Sequence, residues 1–189
     1  ADVAPSGKLF AVSGISAGAA AAFSSYKLYD LEGKELSNTA FEATSELLPL
    51  FWFNKGNGIF AAGDRSAASI DKAGKIIWEK QFKSIAGAAP FGSDSMAAAV
   101  ESDEGFSLVL YSATGRELAA GRLEEKPAGL DAIRGTIAVN TFDTLQFYND
   151  ECKNIGKFKA DGQIKHTYFF DRHQAVIITG NKAVVISLN

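Results

Sequence analysis

Short apolar runs alternate with compact polar turns from one end of the chain to the other. Between residues 47 and 82 the runs fall at 47–53, 59–63, 66–70 and 75–82, punctuated by Asn54-Lys55-Gly56-Asn57-Gly58 and by Gly74. The same spacing continues at 85–91, 96–101, 107–111 and 116–123, then at 129–133, 136–141, 144–148 and 154–159. The first stretch gives 8–12, 19–23, 26–29 and 34–41, and the last gives 163–170, 174–179 and 183–188. Strand-length runs bounded by turn residues at such close intervals predict an all-β chain. The Ala-rich runs at 19–23, 60–63 and 96–100 carry helix propensity, and 16–25 is where a helical reading competes. Their brevity and neighbouring glycines favour strands whose small side chains let adjacent sheets approach.

One phrase recurs: an apolar strand, a polar turn and a return strand. It reads Leu28-Tyr29-Asp30-Leu31-Glu32-Gly33-Lys34-Glu35-Leu36, then Ser69-Ile70-Asp71-Lys72-Ala73-Gly74-Lys75-Ile76-Ile77, then Leu110-Tyr111-Ser112-Ala113-Thr114-Gly115-Arg116-Glu117-Leu118, then Phe147-Tyr148-Asn149-Asp150-Glu151-Cys152-Lys153-Asn154-Ile155. A fifth strand ends at Asn189 in the same phase, so the intervals are 41, 41, 37 and 40 residues. Asp, Asn or Ser opening the turn can accept a bond from backbone two residues on, and Gly at the fourth position accepts positive φ. Cys152 replaces that Gly in the fourth copy, so that turn is either built differently or holds a strained residue.

Four strands in a forty-residue period are the sequence mark of a propeller blade. Through these phrases nearly the whole chain resembles the WD-repeat and quinoprotein-like β-propellers. The Gly-His and Trp-Asp dipeptides of WD repeats and a recurring Trp motif are absent, so the resemblance implies a fold and transfers no functional residue. The expected architecture is a single domain, a five-bladed β-propeller of four-stranded antiparallel blades at about 8–42, 46–83, 84–124, 128–160 and 163–189. The last blade has only three strands in sequence. Residues 1–6 are expected to supply its missing edge, closing the ring and tying down both termini, with Pro5 tolerated on an outer edge.

Composition narrows the function classes. The 189 residues are 47% hydrophobic and 22% charged with net charge −3, as in a globular chain with no basic surplus. Nucleic acid is therefore not an expected partner. The longest apolar runs are far too short to span a bilayer, so no membrane insertion is expected. Cys152 is the one cysteine, which excludes an intramolecular disulfide. The opening Ala1-Asp2-Val3-Ala4-Pro5 looks like a processed terminus, giving a periplasmic or secreted location as the expectation, with a cytoplasmic one not excluded.

No motif for a phosphate loop, a metal or a cofactor is present, and no catalytic residue, metal ligand or cofactor is assigned. The candidates for binding are positional. Asp64 and Arg65, Asp103 and Asp143 lie in turns between second and third strands, on one rim of the expected propeller, where a partner or cation would meet them. His166 and Asp131 lie on innermost strands and could face the channel together. Trp52, beside Phe51, Phe53 and Trp78, and Tyr168 are aromatic platforms if they are not core. The expected function is a non-catalytic protein-interaction scaffold in a larger cell-envelope or extracellular assembly. The alternative is a lectin-like propeller binding carbohydrate or a small ligand, weakened by the dissimilarity of equivalent turns. A glycosidase is further off, since the innermost strands offer one acid, Asp131, where such chemistry needs two.

Overall fold

The computed structural model describes the chain except Ala19, Ala20, Ala43, Ser45, Arg134, Arg172, Asn181 and Asn189, so the turns expected at Asn181 and Asn189 lie outside the described residues. Every regular element among the described residues is a strand or turn; none is a helix, so none could cross a membrane as one. The chain divides into two compact units, residues 1–82 with 113–115, and residues 83–112 with 116–189.

The first unit holds two four-stranded antiparallel sheets. One runs β1 (Asp2–Val3), β2 (Leu9–Ala17), β3 (Ala22–Asp30), β4 (Glu35–Ala40), and the other β5 (Leu50–Phe53), β6 (Ile59–Ala62), β7 (Ser66–Ile70), β8 (Ile76–Gln81). Tyr26, Leu28 and Phe41 of the first interlock with Leu48, Phe53, Ile59 and Ile70 of the second. The Ala-rich run at 60–63 works as expected, with Ala61 and Ala62 fully buried, as are Ala67 and Ala68 beside them, whereas in the run at 19–23 Ala21 and Ala22 are exposed. Gly63 is required where a Cβ would lie 1.9 Å from the Leu47 carbonyl oxygen.

The second unit holds three sheets: β9 (Ser84–Phe91), β10 (Ser95–Ser102), β11 (Gly105–Ser112), β12 (Glu117–Leu123); β13 (Gly129–Ile133), β14 (Thr136–Asn140), β15 (Thr144–Tyr148), β16 (Asn154–Lys159); and β17 (Ile164–Phe169), β18 (Gln174–Thr179), β19 (Lys182–Ser187). Leu108 and Leu110 of the first pack on Ile137 and Val139 of the second. Leu145 and Phe147 of the second pack on Ile164, Ala175 and Ile177 of the third.

The repeated turn is built as its residues dictate. Asp30 Oδ1 accepts from the Lys34 N–H at 2.8 Å, Asp71 Oδ1 from Lys75 at 2.9 Å, Ser112 Oγ from Arg116 at 3.1 Å and Asn149 Oδ1 from Lys153 at 2.9 Å. The fourth residue has positive φ each time, +82° at Gly33, +83° at Gly74, +81° at Gly115 and +56° at Cys152. The fourth copy thus keeps the turn and holds a non-glycine residue in it. After every turn the ladder skips one residue of the return strand, leaving Leu36, Ile77, Leu118 and Ile155 as bulges.

Two expectations are corrected. Residues 1–6 do not extend the last sheet: Asp2 pairs with Ala11 and Val3 with Phe10, making β1 the first strand of the first sheet, and β17–β18–β19 remains three-stranded. The reason is local. Pro5 sits in the tight turn closed by Ala4 N–H to Leu9 O at 2.9 Å and Gly7 N–H to Ala4 O at 2.8 Å, which folds the N-terminus back on β2. Nor is there a turn at Ser24-Ser25 between two strands: Ala22–Asp30 is one strand, β3, in which Ser24 and Ser25 stay in register opposite Ile15 and Gly14, while Ala19 and Ala20 lie outside the described residues.

Candidate functional site

Of the turn candidates, Asp143 is bonded locally, and Asp64, Arg65 and Asp103 are exposed. Asp64 and Arg65 are exposed in the β6–β7 turn, where the Arg65 carbonyl accepts from Phe82 N–H at 2.8 Å. Asp103 is exposed between β10 and β11. Asp143 accepts from Thr144 Oγ1 at 2.9 Å and pairs with Lys159 Nζ at 3.6 Å. Among the described residues no group of three His, Cys, Asp or Glu side chains could hold a metal.

Asp131 has a structural task. One carboxylate oxygen accepts from its neighbour Ala132 N–H at 2.8 Å, and the other from Phe169 N–H on β17, also at 2.8 Å. It therefore fastens the first strands of two successive sheets. Asp2 does the same in the other unit, accepting from Val3 N–H at 2.9 Å and from Phe53 N–H on β5 at 3.3 Å. The parallel role of Asp2 was missed because residues 1–6 were placed elsewhere; the signal lay in an Asp opposite a buried Ala, Ala11 in one sheet and Ala138 in the other.

Trp52 is half-buried. Its ring packs 6.1 Å from Phe60, which packs 6.5 Å from Trp78. The Trp78 indole N–H donates to Ala113 O at 3.1 Å. Cys152 is buried against the same cluster as Leu123 and Tyr148, and burial pushes its thiol up from 9.0 to about 11, with Glu117 and Asp150 adding to the rise. A thiol so protonated is a poor nucleophile.

What the structure does bring together is His166 and Tyr168. Their rings stack at 6.1 Å and 25° on the face of β17–β18–β19 turned away from the neighbouring sheet. Tyr168 is opposite Val176, and Val176 opposite Val185, so the three form one row across that face. Tyr168 is 52% exposed, Phe170 78% and Val185 61%. Counted back from the turn-opening residue, Val185 occupies the place of Tyr26, Ala67, Leu108 and Leu145, which are at most 2% exposed. Leu108 and Leu145 are covered by the sheet that follows theirs. Large apolar side chains grouped in this way mark an interaction surface.

No protein-family model matches the sequence, and no curated protein matches it. Solved structures do. The chain superposes on the Neurospora crassa Pan2 WD40 domain at TM-score 0.63 and 14% identity, over 92% of this chain and 61% of that one. It superposes on BBS1N, solved in complex with ARL6DN, at TM-score 0.65 and 14% identity, over 95% and 60%. BamB from Moraxella catarrhalis matches at TM-score 0.62 and 13% identity, over 97% and 56%. The fold is that of a β-propeller. At these identities the propeller likeness is one of fold, and this chain spans only 56–61% of the length of those three propellers.

Proposed function

We propose that this propeller is a non-catalytic protein-interaction module that docks a partner on the open face of β17–β18–β19. The observation that carries the reading is the row Tyr168, Val176 and Val185 with Phe170, in which Val185 is 61% exposed where its counterparts in the other sheets are at most 2% exposed. Tyrosine supplies large contact area at low entropic cost and is enriched at binding hot spots, and phenylalanine is enriched at interfaces. BBS1N, solved with ARL6DN bound, is a propeller of similar fold in a protein complex, which supports the reading. The glycan alternative gains no support from these comparisons. A cell-envelope or extracellular assembly is part of the proposal, and fractionation of the producing cell tests it separately.

The function is tested by affinity capture with the wild-type chain and with the Tyr168→Ser/Phe170→Ser double variant. Both side chains are exposed, so the variant should keep its melting temperature within about 2 °C. We expect a partner retained by the wild type and lost by the variant. Equal capture by the two would refute docking at this face.

A further inference from the structure

In the second sheet a buried hydroxyl and two acids gather without a positive charge. Across β7 and β8, Ser66 lies opposite Gln81 and Ala68 opposite Glu79. Ser66, Glu79 and Gln81 therefore share the face whose Ala68 and Ile70 pack on the first sheet. The loop leading into β5 brings Glu46 to this face, where its Oε1 accepts from Gln81 Nε2 at 3.2 Å. Among the described residues, two buried oxygens there have no partner: Glu79 Oε1, and Ser66 Oγ on a residue with no exposed surface. The ion pairs among the described residues reach neither Glu46 nor Glu79. Burial first, and then the Glu46 charge, hold the Glu79 carboxyl above the usual carboxylate range, against a smaller pull from the Thr44 hydroxyl. Gln81 is exposed and Glu46 half-buried, so the cluster opens to solvent.

The other unit balances the same place with its own cations. Counted from the turn openers Asp71 and Asn149, Glu46 corresponds to Glu124, Ser66 to Thr144, Glu79 to Lys157 and Gln81 to Lys159. Glu124 and Lys157 line one groove, Thr144 Oγ1 donates to Asp143 at 2.9 Å, and Lys159 pairs with Asp143 at 3.6 Å. The second sheet has an acid where that sheet has Lys157, and a bare hydroxyl where it has a bonded one. We infer that a calcium ion takes the part of the absent lysine, held by the Glu46 and Glu79 carboxylates and by Ser66 Oγ, with water completing its shell. Residues 1–82 contain no histidine or cysteine, so metals that favour nitrogen or sulfur lack their ligands. Carboxylates that bind through one oxygen or two, with a hydroxyl, suit the variable oxygen coordination of calcium better than the strict octahedron of magnesium. Two carboxylates make a weaker set than three, which places the Kd at about 0.1–1 mM. The ion would tie the loop that follows the first sheet to the outer strands of the second. The site is separate from the docking face and stands or falls without it.

The test is a calcium titration of the full chain after removal of metals with a chelator, read by calorimetry and by melting. One ion should bind per chain, and calcium chloride at about 10 mM should raise Tm by about 3–8 °C over sodium chloride of equal ionic strength. Glu79→Gln should bind calcium at least about tenfold more weakly. Without calcium the same variant should melt no lower than the wild type, because it removes a carboxylate that the Glu46 charge opposes. Ser66→Ala deletes only the unpartnered hydroxyl; it should weaken calcium binding about threefold and leave the calcium-free Tm within about 2 °C. A hydroxyl that serves packing alone would leave the affinity unchanged. The proposal is overturned if calcium gives no shift beyond that of sodium chloride, if Glu79→Gln and Ser66→Ala bind it as the wild type does, or if magnesium binds as tightly.

Discussion

Single polar side chains hold this molecule in register where backbone bonds end. The Asp131 carboxylate takes one N–H from its own strand and one from β17, so removing it orphans the Phe169 amide. Asp131→Ala should lower unfolding stability by about 1–2 kcal/mol in urea, and Asp131→Asn by clearly less, because an amide oxygen still accepts. Equal losses for the two would show that the bonds to Ala132 and Phe169 matter little. Cys152 sets a different balance, as its φ of +56° costs energy while its side chain fills buried space. Its raised thiol pKa favours the neutral form in the folded state. The resulting stabilisation is complete below pH 9.0 and disappears as pH rises toward about 11. Wild type should therefore lose stability over that alkaline window more steeply than Cys152→Ala; parallel pH curves would contradict it. Tyr26, raised by burial in the same direction, contributes to the loss in both proteins.

At the scale of elements, the turn and the bulge that follows it form one device. Leu36, Ile77, Leu118 and Ile155 each lie six residues after the turn opener, and all are exposed. Their apolar character made them read as ordinary strand positions, so the turn was legible in the sequence and the bulge was not. A bulge leaves its mark in pairing, which a single chain's hydrophobicity does not record. The bulge residue spaces the ladder rather than filling the core. Leu118→Ser should thus alter stability by no more than about 0.5 kcal/mol, whereas deletion of Leu118 should unfold the sheet by sending every later side chain of β12 to the wrong face. A folded deletion variant with native-like exchange at Leu110 and Ala119 would contradict this. The second-to-third-strand turns at Asp64, Asp103 and Asp143 were also placed correctly by sequence, the one at Ser24-Ser25 was not, and the acids of the three proved to be solvated or locally bonded. Turn chemistry selects Asp and Asn for the backbone's sake, which hides any functional signal there.

For the molecule as a whole, the forty-residue cadence made the all-β class and the number of sheets legible. The destination of the N-terminus was not. The three-stranded last sheet invited a partner strand, and nothing in the sequence of residues 1–6 distinguishes one sheet edge from another. The Pro5 turn and the Asp2 bond to Phe53 decide it. Removing residues 1–6 should accordingly speed amide exchange in β2 and β5 and leave β17–β19 unchanged; the opposite pattern would restore closure by the N-terminus. The open face was invisible for a related reason. Val185 carries the same apolar pattern as the buried Leu108 and Leu145, and only its exposure separates it from them. The exposed side chains of Tyr168, Phe170 and Val185 are the foundation of the functional account, and photo-crosslinking reads them most directly. A benzophenone side chain at position 170 should capture a single protein that the same group at position 103 does not, and capture from position 103 alone would contradict the account.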